Sequence, residues 1–169
     1  THKKKKKNHI TNISSNWFEE SFRFILPGYN VRPIEMSGAI GNKQLEKLPN
    51  FLKKRRENAE LFVNLFKNHD DFLIQKEIDK SSWFGFSLII KPGSKLIRKD
   101  VINVLEKNKI EYRPIVTGNF VRNEVLKYFN YEIHKKLTNA NHLHDNGFFV
   151  GNSHENLFSN IKLLKEILS

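Results

Sequence analysis

The chain has 169 residues, of which 38% are hydrophobic, and its 29 lysines and arginines against 18 aspartates and glutamates give a formal net charge of +11. This length fits one domain, and the low hydrophobic share predicts a sizeable exposed part. The absence of cysteine excludes disulfides, thiolate metal sites and cysteine-held iron–sulfur clusters, and it favours a cytoplasmic setting. No apolar run is long enough to span a membrane, so no membrane partner is expected.

Five of the positive charges lie in one run, Lys3–Lys7, within a polar segment that covers residues 1–16. Clustered like charges repel each other and stay solvated, which predicts a basic tail or loop. A site for single-stranded nucleic acid would interleave basic and aromatic residues along a groove, and this run is isolated. The pattern argues against nucleic acid as a partner and leaves binding of another anionic partner open.

Residues 17–48 are predicted to form a segment that packs on something other than the rest of this chain. Aromatic residues are concentrated over Trp17–Leu26, and Pro27-Gly28 indicates a turn before an extended stretch. A helix is expected from about Ile34 to Leu48. Gly38 and Gly41 lie on one stripe of it, although glycine costs up to about 1 kcal/mol in a helix relative to alanine. They indicate close approach of another backbone or, alternatively, loose packing.

Residues 49–169 are predicted to form a compact α/β domain. Helical periodicity and strand-like alternation give the order of its elements. These are a helix from Pro49 to Asn68, a strand over Trp83–Ile90 with Phe84, Phe86, Leu88 and Ile90 on one face, a helix over Arg98–Asn108, a strand over Ile110–Ile115, helices over Val121–Phe129 and Thr138–Asn146, a strand over Phe148–Val150 and a helix over Asn156–Leu168. Thr138 is expected to cap its helix.

The sequence lacks a phosphate-binding loop, a dinucleotide-binding glycine motif and a zinc-protease motif. His142 and His144 are two residues apart, and on a helix this spacing directs them away from each other. Surface histidines are therefore favoured over a metal site, and no metal is expected.

Three segments could carry binding residues. Asn30 and Arg32 lie on the same side of an extended stretch, where they could hold a phosphate or carboxylate or could bond nearby backbone. Arg113 ends a strand, alternates away from its apolar neighbours and precedes a Gly-Asn turn, so it could point into a site or lie on the surface. The third segment is Gly147–His154, in which Asn152 or Ser153 is expected to cap the last helix.

The segments Gly28–Arg32, Gly38–Gly41, Gln44-Leu45 with Leu48, and Arg55-Arg56 with Asn58-Ala59 match a known family in order and spacing. They resemble the sugar aminotransferase family of fold-type-I pyridoxal-phosphate (PLP) enzymes. Four longer phrases are similar to the branch of that family that 3-dehydrates GDP-linked 4-keto-6-deoxy sugars: Phe18–Met36, Ser81–Ile90, Arg113–Phe120 and Gly147–Asn152. The resemblance covers nearly the whole chain beyond residue 17.

The resemblance implies the C-terminal portion of a PLP-dependent transferase fold, with helices packed on a short, mostly antiparallel sheet. Residues 17–48 would end the large domain and residues 49–169 would form the small domain. It also implies PLP or its amine form, PMP, as cofactor, a homodimer with active sites at the subunit interface, and a nucleotide-linked keto sugar and glutamate as substrates.

Site residues are implied by the same resemblance. Asn30 would reach the cofactor phosphate of the partner subunit, and Arg32 would face the substrate or the carboxylate of the amino donor. Arg113 would bind a glutamate or sugar-nucleotide anion. The chain holds no match for the catalytic base, which is a histidine in the dehydratases and a lysine in the aminotransferases. That base is expected upstream of Thr1, so the chain alone is expected to be inactive.

The predicted function is 3-dehydration of a GDP-linked 4-keto-6-deoxy sugar in deoxysugar and O-antigen polysaccharide biosynthesis. A PLP-dependent 4-keto sugar aminotransferase is one alternative, and a non-catalytic remnant or interaction module is another. Without a covering partner, the aromatic residues Trp17, Phe18, Phe22 and Phe24 are expected to be exposed and to promote association.

Overall fold

The structure, a computed structural model, describes Phe18, Arg23, residues 26–29 and residues 34–169. The predicted basic tail, including Lys3–Lys7, lies outside the described residues. Of the described elements, two helices come first, α1 over Glu35–Leu45 and α2 over Leu48–Phe66. Each begins and ends within a few residues of its predicted bounds. In the part of the chain described, no helix has both the length and the apolar character needed to cross a membrane.

Four strands form one sheet: β1 (Phe72–Ile74), β2 (Gly85–Ile90), β3 (Tyr112–Arg113) and β4 (Gly147–Gly151). Their spatial order is β1-β2-β4-β3, and every pairing is antiparallel. The fold class predicted from the sequence is thus confirmed. Strand β1 was not predicted, because three consecutive apolar residues are too few to show an alternation.

Three further helices complete the domain: α3 (Arg98–Lys107), α4 (Thr138–Asn146) and α5 (Phe158–Ile167). The helix predicted over Val121–Phe129 is instead two short 3₁₀ segments, Phe120–Arg122 and Glu124–Tyr128. Between them Asn123 has extended backbone, so an α-helix cannot run through it. Thr138 is not the N-cap residue, because it is the first residue of the helix. The N-cap residue is Leu137, which makes no side-chain hydrogen bond to the helix.

The core lies between one face of the sheet and α2, α3 and α5. Helix α2 buries Asn58, Ala59, Phe62 and Phe66, a spacing that places them on one face. The ring of Phe62 stacks on Phe66 at 4.8 Å and on Phe86 of β2 at 4.5 Å between centroids. Burial of each such ring contributes roughly 1.5–3 kcal/mol.

The alternation predicted for β2 fails at one end. Phe86, Leu88 and Ile90 are buried in the core as expected, but Phe84 is 76% exposed. Trp83, just before it, is buried and has a positive φ of 51°. Phe84 precedes Gly85, the first residue of β2, and its ring lies beside Phe149 and not on the core face of Phe86.

Helix α1 contributes no buried residue to the described structure, and Met36, Ile40 and Leu45 are all exposed. Among the described residues, no atom comes within 4 Å of a Cβ built on Gly38 or Gly41. The close backbone approach expected at these glycines therefore stays a prediction. Phe18, expected to be exposed, is buried beside Tyr112 at 5.8 Å between ring centroids, because β3 offers it an apolar neighbour.

Candidate functional site

Strand β3 ends in a tight, well-fixed turn. The N–H of Gly118 donates to the carbonyl of Ile115 at 2.7 Å, and Gly118 has a φ of 58°. A Cβ at this position would lie 2.6 Å from His144 Nδ1, so only glycine fits between the turn and α4. The N–H of Asn119 donates to the same nitrogen at 3.2 Å. The loop that follows Arg113 is thereby anchored on α4.

Arg113 lies on the sheet face opposite the main core. It is the register partner of Phe149 on β4, and Phe149 in turn pairs with Ser87 on β2. Its guanidinium Nη2 donates to Glu111 Oε1 at 2.7 Å, and both side chains are exposed. Tyr112 and Arg113 lie on opposite faces of β3, as the alternation predicts, because Tyr112 packs against the core and contacts Phe18. Burial raises the pKa of the Tyr112 hydroxyl group.

A cavity of about 800 Å³ adjoins Arg113. We call it the aromatic cavity, because Phe84 and Phe149 line it. Its lining also includes Gly151, residues of α5 and the charged side chains of Arg55, Lys109, Glu111 and Arg113. The ring centroids of Phe84 and Phe149 are 5.6 Å apart. The cavity therefore combines an exposed aromatic surface with basic side chains.

The start of β2 is held in an unfavourable backbone conformation at the edge of this cavity. A positive φ at a bulky residue such as Trp83 costs roughly 1–3 kcal/mol and persists only where its surroundings impose it. Arg55 Nη2 donates to the carbonyl of Trp83 at 2.6 Å, and Asn152 Nδ2 donates to the same oxygen at 3.0 Å. The indole N–H donates to Glu77 Oε1 at 3.2 Å. These contacts fix Trp83 inward and Phe84 outward.

The third predicted segment contributes to the fold and not to a helix cap. Asn152 is buried and donates to the carbonyls of Arg55 and Trp83, which is why it cannot reach the helix. At the start of α5, the N–H of Phe158 donates to Asn156 Oδ1 at 3.0 Å. The N–H of Leu157 donates to Asn58 Oδ1 at 3.1 Å. The prediction of a cap at Asn152 or Ser153 was wrong by a few residues.

A second, smaller cavity of about 270 Å³ lies on the other side of the 114–118 loop. It is lined by three arginines whose contacts tie distant elements together: Arg23 bonds Glu124, Arg98 bonds the carbonyl of His144, and Arg122 bonds Asp145 at 2.6 Å. The hydrogen bond from Arg23 lowers the pKa of Glu124. No local pattern indicates this cluster, because the partners are 23 to 101 residues apart in the chain.

The two neighbouring histidines of α4 are half-buried, so their interpretation as surface histidines was wrong. His142 Nε2 lies 2.8 Å from the carbonyl of Ile90, and His144 Nδ1 accepts from Asn119. Both are used in holding α4 against the rest of the domain. Within the described residues, no group of three or more histidine, aspartate or glutamate side chains could hold a metal ion.

Asn30 and Arg32 lie outside the described residues, so their predicted roles stay predictions. The residues described on either side, Tyr29 and Ile34, are 97% and 59% exposed. Leu26, Pro27 and Gly28 are exposed as well. The segment around Asn30 is thus flanked on both sides by surface positions.

Residues 2–155 match the DegT/DnrJ/EryC1/StrS aminotransferase family. The chain belongs to this family. It is 55% identical over 165 residues to the GDP-4-keto-6-deoxy-D-mannose 3-dehydratase of Escherichia coli O55:H7, an alignment that covers 96% of this chain and 42% of that protein. The chain therefore spans less than half the length of this relative.

Two solved structures of GDP-4-keto-6-deoxymannose-3-dehydratase share the fold of this DegT/DnrJ/EryC1/StrS member, each with a TM-score of 0.80 and 55% identity. One contains a trapped PLP-glutamate geminal diamine and the other, a mutant, contains GDP-perosamine. The matched region comprises 92% and 93% of this chain, respectively, and 41% of each solved chain. The resemblance seen in the sequence is thus confirmed at the level of family and fold.

Proposed function

We propose that this chain supplies the C-terminal part of a PLP/PMP-dependent enzyme that 3-dehydrates a GDP-linked 4-keto-6-deoxy sugar for deoxysugar and O-antigen polysaccharide biosynthesis. The observation that carries the proposal is the 55% identity over 165 residues to a dehydratase of that name. That alignment extends through β3 and the turn that follows Arg113, which supports a shared site geometry. Residues 17–48 are proposed to end the large domain and residues 49–169 to form the small domain.

The proposed cofactor contact comes from the segment around Asn30. When bound, PLP or PMP acts as an electron sink for the sugar carbons beside the ketone. An amide side chain and a guanidinium two residues apart are donors that suit a phosphate and a carboxylate. The exposure of Tyr29 and Ile34 supports a contact made outward, to another subunit, and not to a group enclosed within this domain.

Arg113 is proposed to bind the anion of the substrate or of glutamate. It forms an ion pair with Glu111, which is two residues away and is 80% exposed. An exposed pair of this kind contributes at most about 1 kcal/mol, so an incoming anion can displace Glu111. The ion pairs of the smaller cavity differ, because they bridge separate parts of the fold.

The dimer and its interfacial sites are part of the proposal. Helix α1 exposes Met36, Ile40 and Leu45 and buries no residue within the described structure, as expected for a helix that packs on the large domain or on a second subunit. The cytoplasmic location favoured by the lack of cysteine is proposed with it.

The function is tested on the polypeptide that the complete reading frame encodes. It is incubated with PMP, glutamate and GDP-4-keto-6-deoxymannose, and the molecular mass of the sugar product is measured by mass spectrometry. Loss of the C3 hydroxyl oxygen supports dehydration, whereas gain of nitrogen at C4 with that oxygen retained identifies the aminotransferase alternative. An unchanged sugar, with no segment carrying a histidine or lysine base, identifies a non-catalytic remnant.

The residue assignments are tested in the same polypeptide. Arg113→Ala is expected to raise the KM for the anionic substrate it binds by at least tenfold, since hydrogen bonds to charged groups contribute about 1.5–3 kcal/mol. Lys54→Ala removes a local, similarly exposed ion pair with Glu57 outside the aromatic cavity and is the control. Asn30→Ala is expected to weaken cofactor retention, and unchanged retention would remove Asn30 from the site.

A further inference from the structure

Phe84 is presented to solvent by a conformation that the fold actively maintains. Arg55, Asn152 and Glu77 hold Trp83 in its left-handed backbone conformation. A relaxed β2 would continue its alternation one residue earlier and bring Phe84 onto the core side, as the sequence pattern predicts. An imposed conformation that exposes a large aromatic ring indicates that the exposed ring has a use.

Phe84 and Arg113 stand at two ends of one row of side chains. Arg113 pairs directly with Phe149, and Cβ atoms of such cross-strand neighbours lie roughly 5 Å apart. The ring of Phe149 is in turn 5.6 Å from that of Phe84. A cationic group and an open aromatic face are thus spaced along one wall of the aromatic cavity.

Gly85 makes this row possible. A Cβ on Gly85 would lie 2.7 Å from Phe149 Cδ2 and 2.8 Å from the carbonyl oxygen of Val150. Because Gly85 has no side chain, the ring of Phe149 packs directly on β2, where it also contacts the ring of Phe84. The exposed ring of Phe84 therefore rests on a ring that is itself buried.

We propose that Phe84 is the stacking surface for the base of the nucleotide-linked substrate, with Arg113 on its diphosphate. This inference rests on the proposed function. Aromatic side chains bind bases through their flat faces, and guanidinium groups bind phosphate oxygens. A cavity of about 800 Å³ is in the range that accommodates a ligand of this size. Lys109 and Arg55 add positive charges to the same lining, and Glu111, the ion-pair partner of Arg113, adds a negative one.

Binding of GDP and of inorganic diphosphate to the polypeptide of the complete reading frame tests the inference, because only GDP carries a base. Phe84→Ala is expected to raise the Kd for GDP roughly tenfold and to leave the Kd for diphosphate unchanged. Phe84→Trp is expected to keep GDP binding. Phe129→Ala, which removes another exposed ring away from the cavity, is the control and should change neither constant.

Unchanged GDP affinity in Phe84→Ala would overturn the inference. So would an equal loss of GDP and diphosphate affinity, which would mean that Phe84 supports the cavity or an adjoining domain and does not stack a base. Absence of GDP binding to the wild-type protein would overturn it too. If Phe84-dependent GDP binding occurs without dehydration of the sugar, the inference stands and the proposed function fails. If the sugar is dehydrated and its KM is unchanged in Phe84→Ala, the proposed function stands and the inference fails.

Discussion

The side-chain amides of Asn58 and Asn152 meet in the interior of the domain, with Asn58 Nδ2 donating to Asn152 Oδ1 at 3.2 Å. Asn58 also donates to the carbonyl of Glu155 at 2.8 Å and accepts from the N–H of Leu157. Asn152 extends the network to Arg55 and Trp83. Two amides thereby join helix α2, the start of β2 and the start of α5, the elements that border the aromatic cavity.

Replacement of Asn58 by alanine is expected to lower the free energy of unfolding by roughly 2–4 kcal/mol, because it leaves buried partners without a hydrogen bond. Urea denaturation of the chain measures this change. Asn64→Ala, an exposed position on the same helix, is the control and should stay within about 0.5 kcal/mol of wild type. Equal stability of the two variants would show that the network contributes little.

Gly85 and Gly151 are register partners on neighbouring strands and make a matched pair. Gly85→Ala is expected to cost roughly 1–3 kcal/mol, because the new methyl group would press on Phe149 and on the backbone of Val150. Gly151→Ala meets no atom within 4 Å among the described residues and should be nearly neutral. Thermal unfolding of both variants checks the difference, and the reverse order would refute the packing described for Phe149.

His69 is predicted to make the domain sensitive to mild acid. Burial lowers its pKa, and the positive charge of Lys165 lowers it further. As the pH falls, His69 of the unfolded chain is protonated first, near pH 6.5. The contribution of neutral His69 to the free energy of unfolding is therefore fully present above that pH and is lost as the pH falls through the lower pKa of the folded state. His69→Gln should flatten the dependence of the free energy of unfolding on pH below about pH 6.5. Asn64→Ala, an exposed position without a titratable side chain, is the control and should keep the wild-type slope; identical slopes in all three proteins would refute the assignment.

Helix α1 predicts association of the 169-residue chain when it is produced alone. Met36 and Ile40 are one turn apart and exposed, so they form a single apolar strip. Light scattering is expected to give a mass above that of the monomer, and Met36→Glu with Ile40→Lys is expected to reduce it. A monodisperse wild-type monomer that unfolds cooperatively would contradict this.

Features that depend on neighbouring residues could be predicted from the sequence. Helix α4 has the predicted bounds, and Arg113 lies on the opposite side of β3 from Tyr112, because both follow from local periodicity. The exposure of Phe84 was not predicted, since it depends on Arg55 and Asn152, which are 28 and 69 residues from Trp83. No local pattern carries that information.

The 3₁₀ segments around Asn123 illustrate a further limit. The apolar spacing over Val121–Phe129 suits a helix, but the segment is tied to α4 through Arg122 and Asp145. Tertiary contacts of this kind override a weak local preference.

If this chain is the C-terminal part of a sugar 3-dehydratase, it should replace the matching part of the Escherichia coli relative. Such a chimera is the most direct test, with conversion of GDP-4-keto-6-deoxy-D-mannose as the measurement. The chimera is expected to remove the C3 hydroxyl group, and Arg113→Ala within it is expected to impair the reaction. A chimera that folds, dimerises and retains PLP but leaves the sugar unchanged would contradict the proposed function.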